Sequence, residues 1–345
     1  MLALWRFGSV ALVGWRPCPA GVEILIAPVA RVLEQADRHR RLLSGRRMMG
    51  SRTFEEVATQ LCVQPIEIRL EVAVGSASDA LSQDSIEAAV APFSIQTTAQ
   101  RAVFLVDIVG FSLLSPTQQA LQVSTLEFAL NLACAAASKQ RPAAAFLRTT
   151  TGDGFYVWAA EKGVDADLSL LTVLTVALSV LAFLRLSPAA HSAPVIRSCF
   201  SIGSHYTYHQ PKPDGSADRE FIVGAVTIEL ARLIGAAKPH QVLIGDFRRQ
   251  EQDGPALDPT AFLERASANM ALLRGLNLTG SLIERIAVYL TGLHEDSGEF
   301  RPDSIEVIDK HGLPHRCFNM KINVFLDGAE PFYCGLQHRD LLSQD

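Results

Sequence analysis

The sequence predicts an α+β fold, a mostly antiparallel sheet with helices packed on it. Apolar runs of strand length are interleaved with longer amphipathic patterns. Two strand-like runs, AAFLRTT and FYVWAA, meet at Gly152-Asp153-Gly154, and an Asp-Gly pair is a strong hairpin signal. The elements then run in the order βα, ββ, α, β, followed by α, β and further strands, which reads as helices laid against a sheet.

Taken in order, residues 1–50 read as a poorly ordered tail, or as sequence ahead of a true start near Met48. Their basic cluster of Arg38, Arg40, Arg41, Arg46 and Arg47 could touch an acidic surface. Residues 51–97 read as an N-terminal extension with a short helix at TFEEVATQL. The patterned domain spans 98–330. AVFLVDIVGFS is a buried strand running into a tight turn, and TQQALQVSTLEFALNLACAAASK is an amphipathic helix. The run LSLLTVLTVALSVLAFL, 168–184, has about the length of the shortest membrane spans. It lies between strands of one pattern, so the reading is a core helix, with no stable membrane insertion. VIRSCFSIGSHYTYH is a strand that places Ile196, Ser198, Phe200 and Ile202 on one face. REFIVGAVTIELARLIGAAKPHQVLIG is a turn, a helix and a strand. A helical insertion is expected near 255–300, then a closing hairpin from SIEVIDKHG and CFNMKINVFLD, and a C-terminal tail at 331–345.

The chain has 345 residues, 48% hydrophobic and 19% charged, a globular composition. Its net charge of −5 gives no whole-protein basic field, which argues against nucleic acid as a partner. Six cysteines lie far apart without a CxxC pair, as expected of reduced thiols in a cytoplasmic protein.

Chemistry concentrates at two carboxylates. Asp107 ends the first strand of the domain, and Asp153 sits at the hairpin tip. If the hairpin lies beside that strand, both project at one sheet edge. Two hard oxygen ligands suit Mg²⁺ or Mn²⁺, and two such ions can hold an attacking oxygen and a triphosphate together. The turn after Asp107 leads into a helix, and its backbone N–H groups can cradle phosphate. An Asp at a strand end is also an ordinary helix cap, and Asp-Gly an ordinary turn. The pair, in this element order, is more specific than either.

These residues resemble the class III nucleotide cyclases. FLVDIVGFS, opened by Phe104, is similar to their first-strand motif F-x-D-I-x-G-F-S. TTTGDGFYVW is similar to their second metal strand, and VGAVTIELARL to their helix G-x-x-x-N-x-x-x-R. The resemblance covers about 100–250, with the last strands near 304–326. It implies a ferredoxin-like antiparallel sheet, a homodimer with shared active sites, two divalent ions, Mn²⁺ or Mg²⁺, and loss of pyrophosphate as the ribose 3′ oxygen attacks the α-phosphate. Carried over, Asp107 and Asp153 are metal ligands, with the backbone of Ile108 completing a shell. Arg232, eight residues after Gly224, steadies the transition state from the partner subunit. Phe104 lies with the substrate, and Lys321 meets the distal phosphates.

The departures concern the base. The residue four before the second metal Asp, Lys or Glu in purine cyclases, is Thr149. The purine-reading Asp is replaced by Phe221, and the ribose-orienting Asn by Ile228. Tyr156 is near enough to stack on a base or bond to it. This pattern resembles the pyrimidine cyclases of the bacterial Pycsar antiphage system, which implies UTP or CTP as substrate and a cyclic product, cUMP or cCMP, acting on a separate effector. Two other readings stay open: a purine cyclase with a rebuilt pocket, and a degenerate domain that binds nucleotide without catalysis.

Overall fold

A computed structural model describes residues 9–36, 42–71, 82–186, 193–211, 217–251, 254–278, 280–294 and 300–337. The chain divides into two compact units, 1–99 with 205–224, and 100–204 with 225–345.

The first unit holds β1 (Val10–Cys18), β2 (Gly21–Pro28), α1 (Val29–Ala36), α2 (Ser51–Gln60), β3 (Ile66–Arg69) and α3 (Gln83–Val90). The three strands form an antiparallel sheet in the order β1-β2-β3. This corrects the expectation of a poorly ordered tail at 1–50. Apolar alternation in β1 and β2 buries Leu12, Val13, Trp15, Ile24 and Leu25, which pack with Phe54 of α2 and Ile86 of α3. Of the basic cluster, Arg38, Arg40 and Arg41 lie outside the described residues. Arg47 is structural: fully buried, it donates to the Leu42 carbonyl at 2.7 Å and the Ile95 carbonyl at 3.3 Å.

The second unit is built on β4 (Gln96–Ile108), α4 (Pro116–Gln140), β5 (Phe146–Thr150), β6 (Gly154–Ala159), α5 (Val164–Leu186), β7 (Ile196–Pro211), β8 (Ala217–Val223), α6 (Ala225–Ala236), β9 (Val242–Gly245) and α7 (Pro259–Ala271). Strands β10 (Asn277–Leu278), β11 (Ser281–Leu290), β12 (Gly292–His294), β13 (Phe300–Pro302), β14 (Ser304–Ile308), β15 (Pro314–Leu326) and β16 (Ala329–Cys334) follow. The ends of β4 and β7, and β8, fall to the first unit. The main sheet runs β10-β11-β15-β9-β7-β4-β6-β5, with β14 and β16 also on β15 and β8 on β7. β11, β14, β16 and β9 pair antiparallel with β15, and β4 and β5 antiparallel with β6, whereas β7 pairs β9 in parallel. The fold is therefore α+β, a mostly antiparallel sheet with packed helices.

Two departures concern the C-terminal third. Among the described residues, the expected insertion near 255–300 is helical only in α7. Beyond it, β11 pairs along β15 from Ile283↔Leu326 to Leu290↔Met320, and its alternate residues Ile283, Ile286, Val288 and Leu290 are buried. The expected tail at 331–345 includes most of β16, whose Phe332 and Cys334 are buried in the sheet's core.

Strand alternation splits the sheet into two faces. Ala102, Phe104, Val106 and Ile108 of β4, Ile196, Phe200 and Ile202 of β7, and Phe318, Met320 and Ile322 of β15 share one core with α4, α5 and α7. α4 starts at a capping box, with Gln118 N–H donating to the Ser115 hydroxyl and Ser115 N–H to the Gln118 side chain, and Pro116 in its first turn. Both α4 and α5 are long and apolar enough to cross a membrane, and the apolar window of α5 is 89% buried within the protein. Two of its buried hydroxyls bond back to the preceding turn: Thr172 donates to the Leu168 carbonyl at 3.2 Å and Ser179 to the Thr175 carbonyl at 2.8 Å. Asp167 at its start is buried, and it accepts from Ala102 N–H at 2.7 Å and Arg249 Nε at 2.6 Å. The opposite face carries Arg101, Leu105, Asp107, Tyr156, Arg197, Cys199, Cys317 and Lys321, by the same alternation. Helix α6 packs there against β9, β14 and β15, burying Val226, Leu230 and Leu233.

Candidate active site

Asp107 is the last odd-numbered residue of β4, so its side chain leaves the sheet on the face away from α4 and α5. It stands directly opposite Gly154 of β6. A Cβ at Gly154 would lie 2.0 Å from the Val106 carbonyl oxygen, so only glycine lets the hairpin approach β4 this closely. Gly152 takes φ +106, a backbone region that side chains disfavour, and its N–H donates to the Thr150 hydroxyl at 2.9 Å. The tip is fixed to β4 when Ile108 N–H donates to the Asp153 carbonyl at 3.0 Å. These bonds bring the two predicted carboxylates together, near enough for the Asp153 charge to act on Asp107. Thr151 Oγ1 donates to Asp153 Oδ1 at 3.3 Å.

Asp107 is 8% exposed. Burial pushes its carboxyl up from the ordinary carboxylate value, and so does the Asp153 charge, while Arg197 pulls it down. Arg197 Nε donates to Asp107 Oδ2 at 2.8 Å. This arginine was not among the predicted site residues. Assigning Ile196 and Ser198 to the apolar face already placed Arg197 on the other one. What the sequence lacked was the neighbourhood of β7 and β4, fixed where Val109 N–H donates to the Val195 carbonyl at 2.8 Å.

Thr149 and Tyr156 are cross-strand partners, and Tyr156 faces Leu105 on β4. The three form one row beside the carboxylates, two residues along β4 from Asp107. The Tyr156 hydroxyl donates to the Thr227 carbonyl of α6 at 3.2 Å, and its pKa is raised, first by burial, then by the nearby Cys199 and Asp107. Its donor is thus spent on the protein.

Other predicted residues of the second unit are not brought to the pair. Phe104 is fully buried in the helix-side core, one face away from Asp107, which corrects its placement with the substrate. The period of two dictates this, since they lie three positions apart, an odd number. The Ile108 side chain lies in that same core, leaving only its backbone at the site. Lys321 is on the correct face but three strands from β4, through β9 and β7. It is 3% exposed, donates to the Gly335 carbonyl at 3.3 Å and lies over the Tyr333 ring at 5.7 Å. Phe221, in the first unit, pairs with Tyr208 and stacks on it with ring centroids 6.4 Å apart. Ile228, at the Asn position, is 55% exposed.

Arg232 Nε lies 3.2 Å from Asp309 Oδ2. Asp309 is a second group that the sequence reading missed. It follows β14, where its carboxylate closes the turn by accepting N–H bonds from His311 at 2.8 Å and Leu313 at 3.0 Å. These two bonds, with His315 and Arg232, lower its pKa to about 2.

Among the described residues, no three His, Cys, Asp or Glu side chains cluster as a ready-made metal cage. Two adjacent carboxylates suit Mg²⁺ or Mn²⁺, which keep waters and use substrate phosphates for the rest of their shell. Asp107 and Asp153 would hold such ions.

No family model matches the chain, and no curated protein matches it. Among solved structures it is similar to the guanylyl cyclase Cya2, with 14% identity over 65% of this chain and 92% of that one and a TM-score of 0.41. It is also similar to the adenylyl cyclase CyaB from P. aeruginosa, with 15% identity, 66% and 95% coverage and a TM-score of 0.39. The guanylate cyclase domain of RhGC from Catenaria anguillulae, solved in complex with GTP, gives 13%, 67% and 98%, and 0.39. Likeness of this size says nothing by itself about activity.

Proposed function

We propose that the chain is a nucleotide cyclase that takes a pyrimidine nucleoside triphosphate, UTP or CTP, and releases cUMP or cCMP with pyrophosphate. The observation that carries this is the Asp107–Asp153 pair, two carboxylates pressed together by a hairpin that requires Gly154. Two carboxylates held side by side at a half-buried sheet edge are costly to build even with Arg197 beside one of them, and such a pair suits a site for cations. When bound, the divalent ions supply charge neutralisation on the triphosphate and the 3′ oxygen. The protein holds the reactants in line: the 3′ oxygen bonds to the α-phosphorus, its proton passes to solvent, and the bond to pyrophosphate breaks. Arg197, already at the pair, limits the repulsion between the carboxylates.

Arg232, held by Asp309, is presented to a second copy of the chain in the proposed homodimer, where its planar fork meets charge developing on phosphate. The row of Thr149, Tyr156 and Leu105 supports the pyrimidine reading. It offers neither a cation nor a carboxylate to a purine edge, and a hydroxyl beside a ring suits a smaller base. In this reading the cyclase is cytoplasmic, and its product is a messenger for a separate effector, as in antiphage signalling.

Incubation of the purified chain with ATP, GTP, CTP and UTP in Mn²⁺, followed by mass identification of products, tests the proposal. Cyclic UMP or CMP is expected. Cyclic AMP or GMP would remove the pyrimidine assignment, and no product from any of the four would remove the cyclase.

A further inference from the structure

On the helix-covered side of the sheet, a cavity of about 220 Å³ lies between α5, the starts of β7 and β9, and β16. Leu178, Leu181, Ile196 and Val242 give it apolar walls. Among the described residues lining it, Arg185 is the one with a fixed charge.

Arg185 is half-buried and forms no ion pair among the described residues. Its Nη1 lies against the His240 ring, 3.1 Å from Nε2 and nearer to Nδ1. A histidine cannot balance a guanidinium. Burial, then the Arg185 charge, lower the His240 pKa, so the ring is neutral at pH 7. The ring is held there by an unusual backbone. His240 has φ 66, a left-handed conformation uncommon outside glycine, and its N–H donates to the Ile196 carbonyl at 2.7 Å. A cation withdrawn from water without a counter-charge is expensive. Here it borders a space large enough for a small ligand.

We propose that this cavity binds a small carboxylate with a short apolar tail. The carboxylate pairs with the Arg185 fork, as planar carboxylates do with guanidinium groups, and the tail lies against Leu178, Leu181 and Val242. This site is separate from the acidic pair. Ile196 faces the cavity, whereas the next residue, Arg197, leaves β7 on the opposite face to hold Asp107.

Calorimetric titration of the full chain with hexanoate, and in parallel with 1-hexanol, tests the proposal. Hexanoate is expected to bind and raise the Tm, with the alcohol at least about tenfold weaker because it lacks the charge. Arg185→Gln should weaken hexanoate at least about tenfold, while Arg185→Lys, which keeps a cation, should lose less. Equal binding of acid and alcohol, no hexanoate binding, or an Arg185→Gln protein that binds as the parent does would each overturn it. Should Arg185→Gln fail to fold, the wild-type chain decides by NMR. Contacts from the hexanoate methylenes to the methyl groups of Ile196 and Val242 are expected, and contacts elsewhere would overturn the site.

Discussion

The two faces of the main sheet are made by the same strands and do opposite work. On the helix-covered face, β4 contributes Ala102, Phe104, Val106 and Ile108, all buried among apolar side chains of α4 and α5. On the other, the same strand contributes Arg101 and Asp107, and its neighbours add Tyr156, Arg197 and Lys321. Three of the polar groups there have partners: Arg101 the Ala160 carbonyl, Asp107 the Arg197 guanidinium, Lys321 the Gly335 carbonyl. One face is held almost wholly by area removed from water, while the other adds to its buried apolar groups specific pairings that cost stability when one member is lost. A residue's parity on its strand therefore decides whether a substitution should be read in stability or in turnover.

The largest expected effect tests the polar face. Asp153→Ala should cut metal-dependent cyclisation by on the order of a hundredfold or more, with an unchanged circular dichroism spectrum. Near-normal turnover would show that the acidic pair is not the reaction centre. Phe104→Ala tests the other face. Truncating this buried ring should destabilise the protein by about 3–5 kcal/mol, read from the urea midpoint. The milder truncation Phe104→Leu should leave KM unchanged, and a raised KM in a folded variant would break the division between faces.

How far the sequence revealed this division depends on range. The β4 strand, the Gly152–Gly154 hairpin and α5 were legible because their signals are local: an apolar run closed by Asp107, an Asp-Gly pair and a long unbroken apolar run. The nearness of Asp107 and Asp153 followed from placing that hairpin beside β4. Arg197 and Asp309 were missed because their roles come from contacts 90 and 77 residues away along the chain, with Asp107 and Arg232. Phe104 was placed with the substrate without counting strand parity, although it lies three positions from Asp107. The strands at 281–290 and 329–334 were taken for helix and tail because each becomes a strand by pairing with β15, a non-local event.

Asp309 sharpens the comparison, since it is a polar-face anchor with its own pH signature. Its folded pKa of about 2 lies below the ordinary 3.8. The native state thus binds its proton less readily than the unfolded chain does. The stability it contributes is full above about pH 4 and is lost as pH falls through 2. Asp309→Asn should flatten the acid limb of a Tm-against-pH curve in that window. At pH 7 the same change frees Arg232, and turnover should drop about tenfold with KM less affected. An unaltered acid limb would mean that the turn does not depend on the carboxylate.

Tyr156→Phe should give the smallest effect. The ring stays in its row between Thr149 and Leu105, and only the bond to the Thr227 carbonyl is removed. One half-buried hydrogen bond is worth about 1 kcal/mol, so the urea midpoint should shift slightly. The ratio of UTP to CTP turnover should change only if the hydroxyl accepts from the base with its lone pairs while donating to α6. An unchanged ratio alongside the small stability loss would assign the hydroxyl to anchoring α6 and leave base choice to the pocket's shape. A changed ratio would make Tyr156 a residue that serves both the helix and the substrate.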